Sequence, residues 1–419
     1  MEKMGGNDYN ILTAWDERRR LTWHLPHRPG RIIIKPLNCI TRRALSSGIR
    51  YRREITHMEE KLQQVCKAFR IEGTFQSYEE IKVGNVNRTY KVNYLRPDGK
   101  PKSYMIQAVN TFVFKKPVEV MDNIDKVTEY LHAKQPQRTV LHFHHTLGRK
   151  IYLQDENGFW RLFNYIPSTT YNTCSDLDVV HSAGEAFGEF QMLLADFDAQ
   201  QLHVTIPDFH DTRKRYEKFL ADVAQDPKGL AAQVTEEVEW LKSVKDKACR
   251  LTDLYNAGQL PLRVTHNDTK INNVLFQPDG SEAIVVIDLD TVMPGLVGHD
   301  FGDAIRFAAN YVEEDSPEAD KAGVNMEVFR AFTQGFLKHT ADTLTQQEVD
   351  TLALSCFALT CELATRFLDD YILGNPYFKI QYPEHNLVRT RCQIALAKDM
   401  MRKLDEMDAV VHQCMEQYR

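Results

Sequence analysis

The chain has 419 residues, 43% hydrophobic and 26% charged, with a formal charge of −6. Those values allow a large buried core in two lobes plus an appendage, and the acidic balance excludes nucleic acid as the main partner, because a phosphate backbone demands clustered Lys and Arg. No apolar run approaches the roughly 20 residues that span a bilayer, no signal-like apolar stretch opens the chain, and eight scattered cysteines without a CxxC pair suit reduced thiols in a cytoplasmic setting.

From Arg18 to Arg53 the chain carries Arg18-Arg19-Arg20 and Arg52-Arg53 and not one Asp or Glu. Residues 1–57 read as a basic, poorly ordered extension, with a targeting presequence or a tail for an acidic surface as functional alternatives. Ile32-Ile33-Ile34 is its one strand-like run. Met58 to Phe69 then predicts a helix, since Met58, Leu62, Val65, Cys66 and Phe69 recur at three and four. Strands follow at Tyr78–Val83, Thr89–Tyr94 and Tyr104–Val109, the last two joined by the turn signal Pro97-Asp98-Gly99-Lys100. Pro117 introduces a helix over 118–131 with Val120, Ile124, Val127 and Leu131 on one face. Two more strands, Lys150–Gln154 and Trp160–Tyr165, enclose Asp155-Glu156-Asn157-Gly158 and complete a small α+β lobe over 58–166.

Past Pro167 the pattern turns helical: Asp176–Ala195, Arg213–Ala224, Thr235–Tyr255, then Phe301–Asn310, Glu327–His339, Gln346–Ile372 and Leu387–Met415. Residues 167–419 therefore predict a larger, mainly helical lobe. The extended stretch Phe163–Thr170 joins the two. In two-lobed kinases such a connector offers backbone groups to an adenine ring, here at Asn164 and Ile166.

One hairpin interrupts the helices. Thr265-His266-Asn267-Asp268-Thr269-Lys270-Ile271-Asn272-Asn273 is followed by Ile284-Val285-Val286-Ile287-Asp288. An Asp, an Asn five positions on and an Asp ending an apolar strand form the core of a metal-dependent phosphoryl-transfer site. Five residues of tight loop return the chain to one side, so base and metal ligand face one phosphate. Asp268 reads as the base, although a lone loop Asp also serves as a turn or cap residue. Asn273 and Asp288 are hard oxygen donors suited to Mg²⁺. His266 reads as a brace for the loop. Lys270 reads as a neutraliser of the transferring phosphate or as a solvated lysine. Asp290 shares a face with Asp288 if the segment is extended, which would turn it to metal or substrate; otherwise it is a turn residue before Pro294-Gly295. Asp300 or Asp303 at a helix start suits a cap that holds the catalytic loop.

The nucleotide end is less distinctive. Gly84-Asn85-Val86-Asn87-Arg88-Thr89 lies between two strands and has one glycine; a plain hairpin turn reads the same. Asn85, Asn87, Arg88 and Thr89 are nevertheless phosphate donors by type. Where a protein kinase carries its phosphate-pairing lysine, the strand Tyr104-Met105-Ile106-Gln107-Ala108 offers Gln107, a neutral amide.

With these residues in view, the chain resembles the aminoglycoside phosphotransferase superfamily, whose fold is protein-kinase-like, and within it the N-acetylhexosamine 1-kinases. The likeness is carried by Gly84 to Tyr90, Ile106 to Phe114, Ala186 to Gln191, Ile206 to Thr212, Thr265 to Asn273, Ile287 to Gly295 and Arg366 to Tyr371, and runs from about Met58 to the C-terminus. It implies a bilobal fold, ATP and Mg²⁺ as cofactors, and transfer of the γ-phosphate to the anomeric hydroxyl of N-acetylglucosamine or N-acetylgalactosamine. Relatives of this group also tend to lack the lysine that Gln107 replaces. For the sugar it points to Arg366, Asp370 and Tyr377; Arg366 and Asp370, at i and i+4, also suit an ordinary helix-surface salt bridge. The rival expectations are a same-fold kinase for choline, homoserine or an aminoglycoside, and a silent nucleotide-binding protein. Sequence assigns no oligomeric state.

Overall fold

The computed structural model describes residues 57–82 and 86–419. The expectations for residues 1–56, and for Val83, Gly84 and Asn85, lie outside the described residues. Helix α1 spans 57–66. It lays Leu62, Val65 and Cys66 on a sheet face made by Tyr90, Val92, Tyr94, Tyr104, Ile106, Trp160 and Leu162. The helix stops short of the expected Phe69, whose backbone instead bridges to Thr146. Strands β1 (Thr74–Ile81), β2 (Arg88–Leu95), β3 (Pro101–Ala108), β4 (Leu153–Asp155) and β5 (Gly158–Asn164) form one antiparallel sheet in the order β1-β2-β3-β5-β4. Strand β1 starts four residues before the expected Tyr78 because Thr74 pairs with Leu95 across the ladder. The apolar alternation begins later and gave no sign of those four. Strand register has a functional consequence: Thr89 faces Gln107, and Gln107 faces Arg161. With a side-chain period of two, the three stand abreast on the sheet face turned away from α1.

Helix α2 (Pro117–Lys134) begins at Pro117 and buries Val120, Met121, Ile124, Val127 and Leu131. Its Asn123, 1% exposed, donates to the carbonyls of His203 (2.8 Å) and Val292 (2.9 Å) and accepts from the His203 N–H (2.8 Å). A helix expected in the small lobe is thus bolted to the helical part of the chain.

That part comprises α3 (Leu177–Leu193), α4 (Thr212–Gln225), α5 (Thr235–Ala248), α6 (Arg250–Asn256), α7 (Val297–Ala308), α8 (Met326–Thr340), α9 (Gln346–Val349), α10 (Leu352–Ile372), α11 (His385–Arg402) and α12 (Leu404–Tyr418). Three predicted helices are each broken in two, at Cys249, at Asp350-Thr351 and at Lys403. The last break has a packing reason. Helix α11 lies along α10 whereas α12 lies along α8, and one straight helix cannot follow both. Among the described residues no helix is long and apolar enough to cross a membrane, and the seven cysteines are unpaired.

Helices α3 and α8 approach closely enough to need glycine. A Cβ on Gly335 would lie 2.1 Å from the His181 carbonyl oxygen, and one on Gly184 2.3 Å from that of Phe332. Gly335→Ala is expected to lower unfolding free energy by about 1–3 kcal/mol through overpacking, read as a lower denaturant midpoint; an unchanged midpoint contradicts the close approach.

Two short ladders frame the remaining loops: β6 (Arg263–Thr265) with β9 (Met293–Gly295), and β7 (Val274–Phe276) with β8 (Ala283–Val286).

Candidate active site

Strand β6 ends in a loop whose backbone is held from several sides. Asn267 adopts φ +65°, a conformation asparagine tolerates better than most residues. Its N–H and that of His266 donate to the Asp300 carboxylate at 2.7 and 2.9 Å, and Gln191 donates to the same carboxylate at 2.6 Å. The Asn267 side chain donates to the Thr291 carbonyl at 2.9 Å. His266 is fully buried: Nε2 donates to the Ile287 carbonyl (2.8 Å) while Nδ1 accepts the Asp268 N–H (3.2 Å). It braces one loop against the next. Of the two aspartates expected to hold the loop, Asp300 does so; Asp303 instead pairs with Arg306 at 2.7 Å.

The backbone so fixed presents Asp268. Lys270 Nζ lies 2.8 Å from one carboxylate oxygen, and Asn273 Nδ2 donates to the other (3.2 Å) and to the Asp268 carbonyl (2.8 Å). Burial alone would raise this carboxyl, but the Lys270 cation and the Asn273 amide lower it below its ordinary value. Asp268 is therefore an ionised acceptor at neutral pH. Because Asn273 turns its amide nitrogen to Asp268, its Oδ1 has no partner among the described residues. The Ile287 N–H donates to the Asn273 carbonyl at 2.8 Å, which sets Asp288 beside Asn273. Asp288 sits at φ +60° with its side chain solvent-accessible. Its crowded surroundings, and then the carboxylates of Asp290 and Asp268, push its carboxyl up to about 6. Two free oxygen donors in a field of excess negative charge suit a divalent cation that takes its other ligands from phosphate and water. No trio of His, Cys, Asp or Glu side chains forms a closed cage among the described residues.

Asp290 differs from expectation. Residues Leu289–Thr291 form a 3₁₀ turn, not an extended segment, so Asp290 does not share a face with Asp288. It is 3% exposed, ion-paired to Arg161 and bonded by Asn87 Nδ2 at 2.6 Å. Arg161 Nε donates to Gln107 Oε1 (2.9 Å), and Gln107 Nε2 donates to Thr89 Oγ1 (3.0 Å). Both ends of the Gln107 amide are thereby occupied by protein, and Asn87 Oδ1 accepts the Asn110 N–H at 2.9 Å. Thr89, Gln107 and Asn87 thus form a relay from the sheet to the Asp288 turn instead of standing free for a phosphate. Arg88 lies on the opposite sheet face, paired with Glu80 at 2.9 Å. In the connector, the Asn164 side chain meets His144 Nε2 at 3.0 Å and the Ile166 carbonyl accepts from Ser168 at 2.9 Å; the Ile166 N–H has no partner among the described residues.

On the helical side, Asp370 is also spoken for. It is 4% exposed and accepts the N–H groups of Tyr377 (2.9 Å) and Phe378 (3.0 Å) and the Asn386 amide (2.9 Å). It shapes the loop after α10 and makes no salt bridge with Arg366. That loop leaves Tyr377 66% exposed and brings Phe378 to one side of the Arg366 guanidinium, 5.6 Å away, with Phe209 on another side at 5.5 Å. Arg366 has no carboxylate partner among the described residues. Nor does Arg215, which donates to the Phe209 carbonyl at 3.2 Å and keeps a buried, unbonded Nε.

Arg161 and Arg215 were absent from the sequence-based site. A signal for Arg161 existed, since an arginine within Phe159-Trp160-Arg161-Leu162-Phe163 needs a buried counter-charge. Arg215 sits in an ordinary amphipathic helix and offers none.

A model of the phosphotransferase enzyme family matches residues 77–333, more than half of the chain. Similar solved structures include an aminoglycoside phosphotransferase from Alicyclobacillus acidocaldarius (10% identity, covering 85% of this chain and 96% of that one, TM-score 0.55). An amicoumacin kinase solved with AMP-PNP and Ca²⁺ has 14% identity, covers 80% and 92%, and scores 0.52. A choline kinase from Cryptosporidium parvum has 15% identity, covers 85% and 99%, and scores 0.51. At these identities the likeness speaks for a shared kinase-like fold.

Proposed function

This chain belongs to the phosphotransferase enzyme family, and we propose that it transfers the γ-phosphate of ATP to the anomeric hydroxyl of an N-acetylhexosamine. The observation that carries the reading is the convergence of Asp268, Asn273 and Asp288 at one end of the β7–β8 hairpin. In this reading residues 58–166 hold the nucleotide, with the adenine against the backbone of Asn164 and Ile166, and residues 167–419 hold the acceptor. Asp268 accepts the hydroxyl proton, its lone pairs oriented by Lys270 and Asn273. Lys270 is held protonated by Asp268 and stands ready to share charge with the transferring phosphate. Mg²⁺, bound through Asn273 Oδ1 and the Asp288 carboxylate, would shield the phosphate oxygens against the incoming hydroxyl.

The acceptor class follows from charge. Choline and aminoglycosides are cations, and choline sites use aromatic cages. In this reading Arg366 and Arg215, which form no ion pair among the described residues, line the acceptor site, and a cation there would meet repulsion. A neutral polyol suits guanidinium donors and the exposed Tyr377. Incubation with ATP, Mg²⁺ and an acceptor panel is expected to give N-acetylhexosamine 1-phosphate by phosphorus NMR. Turnover of choline or an aminoglycoside with none of any amino sugar overturns the assignment.

A further inference from the structure

A buried group behind the reacting carboxylate has no part in the chemistry so far. His210 lies in the segment leading into α4, with its side chain 7% exposed. Its Nδ1 is 2.8 Å from Glu362 Oε1 and its Nε2 is 3.3 Å from the Asn267 carbonyl oxygen. A carboxylate and a carbonyl are acceptors only. Each ring nitrogen must therefore carry a proton, and the ring must be an imidazolium. The second Glu362 oxygen accepts from Thr212 Oγ1 at 2.7 Å, so the carboxylate is held in one orientation. The ring's neighbour His299, 4.9 Å away between centroids, accepts the Leu296 N–H on Nδ1 and stays neutral, burial pushing it down to about 3.

We propose that His210 is a positioning residue: as an imidazolium it ties Glu362 of α10 to the carbonyl of Asn267, and release of its proton to solvent frees that carbonyl and disables Asp268 one residue on. The geometry makes the link direct. Asn267 holds a left-handed conformation whose N–H is fixed by Asp300 and whose carbonyl is fixed by His210, so both flanking peptide orientations are set from outside the loop. When Nε2 loses its proton, its lone pair faces the carbonyl oxygen and the attraction becomes repulsion.

The groups facing His210 favour the cation on balance. From α10 come Glu362, favouring the cation, and Arg366, opposing it; from α7 come Asp303, favouring it, and the neutral His299. Burial works against the charged ring, yet Glu362 and Asp303 hold it above the ordinary histidine value. For Glu362 burial likewise opposes charge, and the His210 cation with Arg366 brings its carboxyl down to about 2. A raised folded value means the link is intact below it and is lost as pH rises through it.

The inference rests on Asp268 being the base of a phosphoryl transfer, and the test separates the two ideas. Wild-type kcat is expected to fall on an alkaline limb. In Glu362→Gln the limb should move to lower pH by at least one unit, with the acid plateau of kcat and the nucleotide KM within about threefold of wild type. Imidazole ¹⁵N shifts of wild-type protein, with the His210 signals identified by their loss in His210→Gln, should show both nitrogens protonated at pH 7 and titrating together with kcat. Superimposable pH profiles in wild type and Glu362→Gln, or a singly protonated His210 at pH 7, overturn the proposal. If no acceptor is phosphorylated, the kinase reading fails on its own, while the ¹⁵N measurement still decides the charge of His210.

Discussion

Asp268→Asn is expected to reduce kcat by about 10²–10⁴-fold, the range spanned by loss of a positioned general base, while leaving nucleotide affinity within a few-fold. The substitution keeps the size of the side chain, and the bond from Asn273 to the carbonyl of residue 268 is untouched because that acceptor is backbone. What disappears is the proton acceptor and the counter-charge of Lys270. Lys270 then has one anionic partner fewer, so the nucleotide is expected to be held as well as before or slightly better. Steady-state rates with the best acceptor, together with calorimetric titration of the nucleotide, separate the outcomes. A variant within tenfold of wild type removes Asp268 from the base role. Equal loss of rate and nucleotide binding points instead to collapse of the loop.

What could be read from the sequence divides along a physical line. Helix faces and the β7–β8 hairpin were visible because apolar spacing and turn residues are local. The family's kinase-like fold was visible because Asp268, Asn273 and Asp288 stand at informative distances along the chain. Roles fixed by contacts across many residues were not. Asp290 looked like a second metal or substrate group from its place beside Asp288; in space it answers a charge 129 residues earlier, on β5. Asp370 and Arg366 looked like a pair at i and i+4, yet Asp370 turns back to cap the loop at 377–378 and Arg366 lies between two aromatic rings. Asn87, Thr89 and Gln107 carried phosphate-binding chemistry by type, and their side chains are spent on one another and on Arg161 and Asp290. A polar side chain's type limits what it can bond; only the fold decides what it does bond.

That relay gives the second large effect. Arg161→Met is expected to destabilise the protein by about 3–5 kcal/mol, the cost of leaving one member of a buried ion pair uncompensated. Asp290 would keep only the Asn87 amide, and Gln107 Oε1 would lose its donor. Asp290→Leu alone strands the guanidinium and should cost a similar amount. The double variant Arg161→Met/Asp290→Leu removes both charges and should recover a coupling of about 1–3 kcal/mol, read from denaturant unfolding of all four proteins. Stability and activity should then part company. The ion pair is where the sheet, through Thr89, Gln107 and Arg161, takes hold of the turn that bears Asp288. Two apolar side chains can fill the space but cannot fix that turn's direction. The double variant is therefore expected to fold yet remain at least tenfold below wild-type kcat, with a raised Mg²⁺ requirement. If it regains wild-type kcat along with its stability, the buried pair is packing alone, and the sheet plays no part in aiming the metal-binding carboxylate.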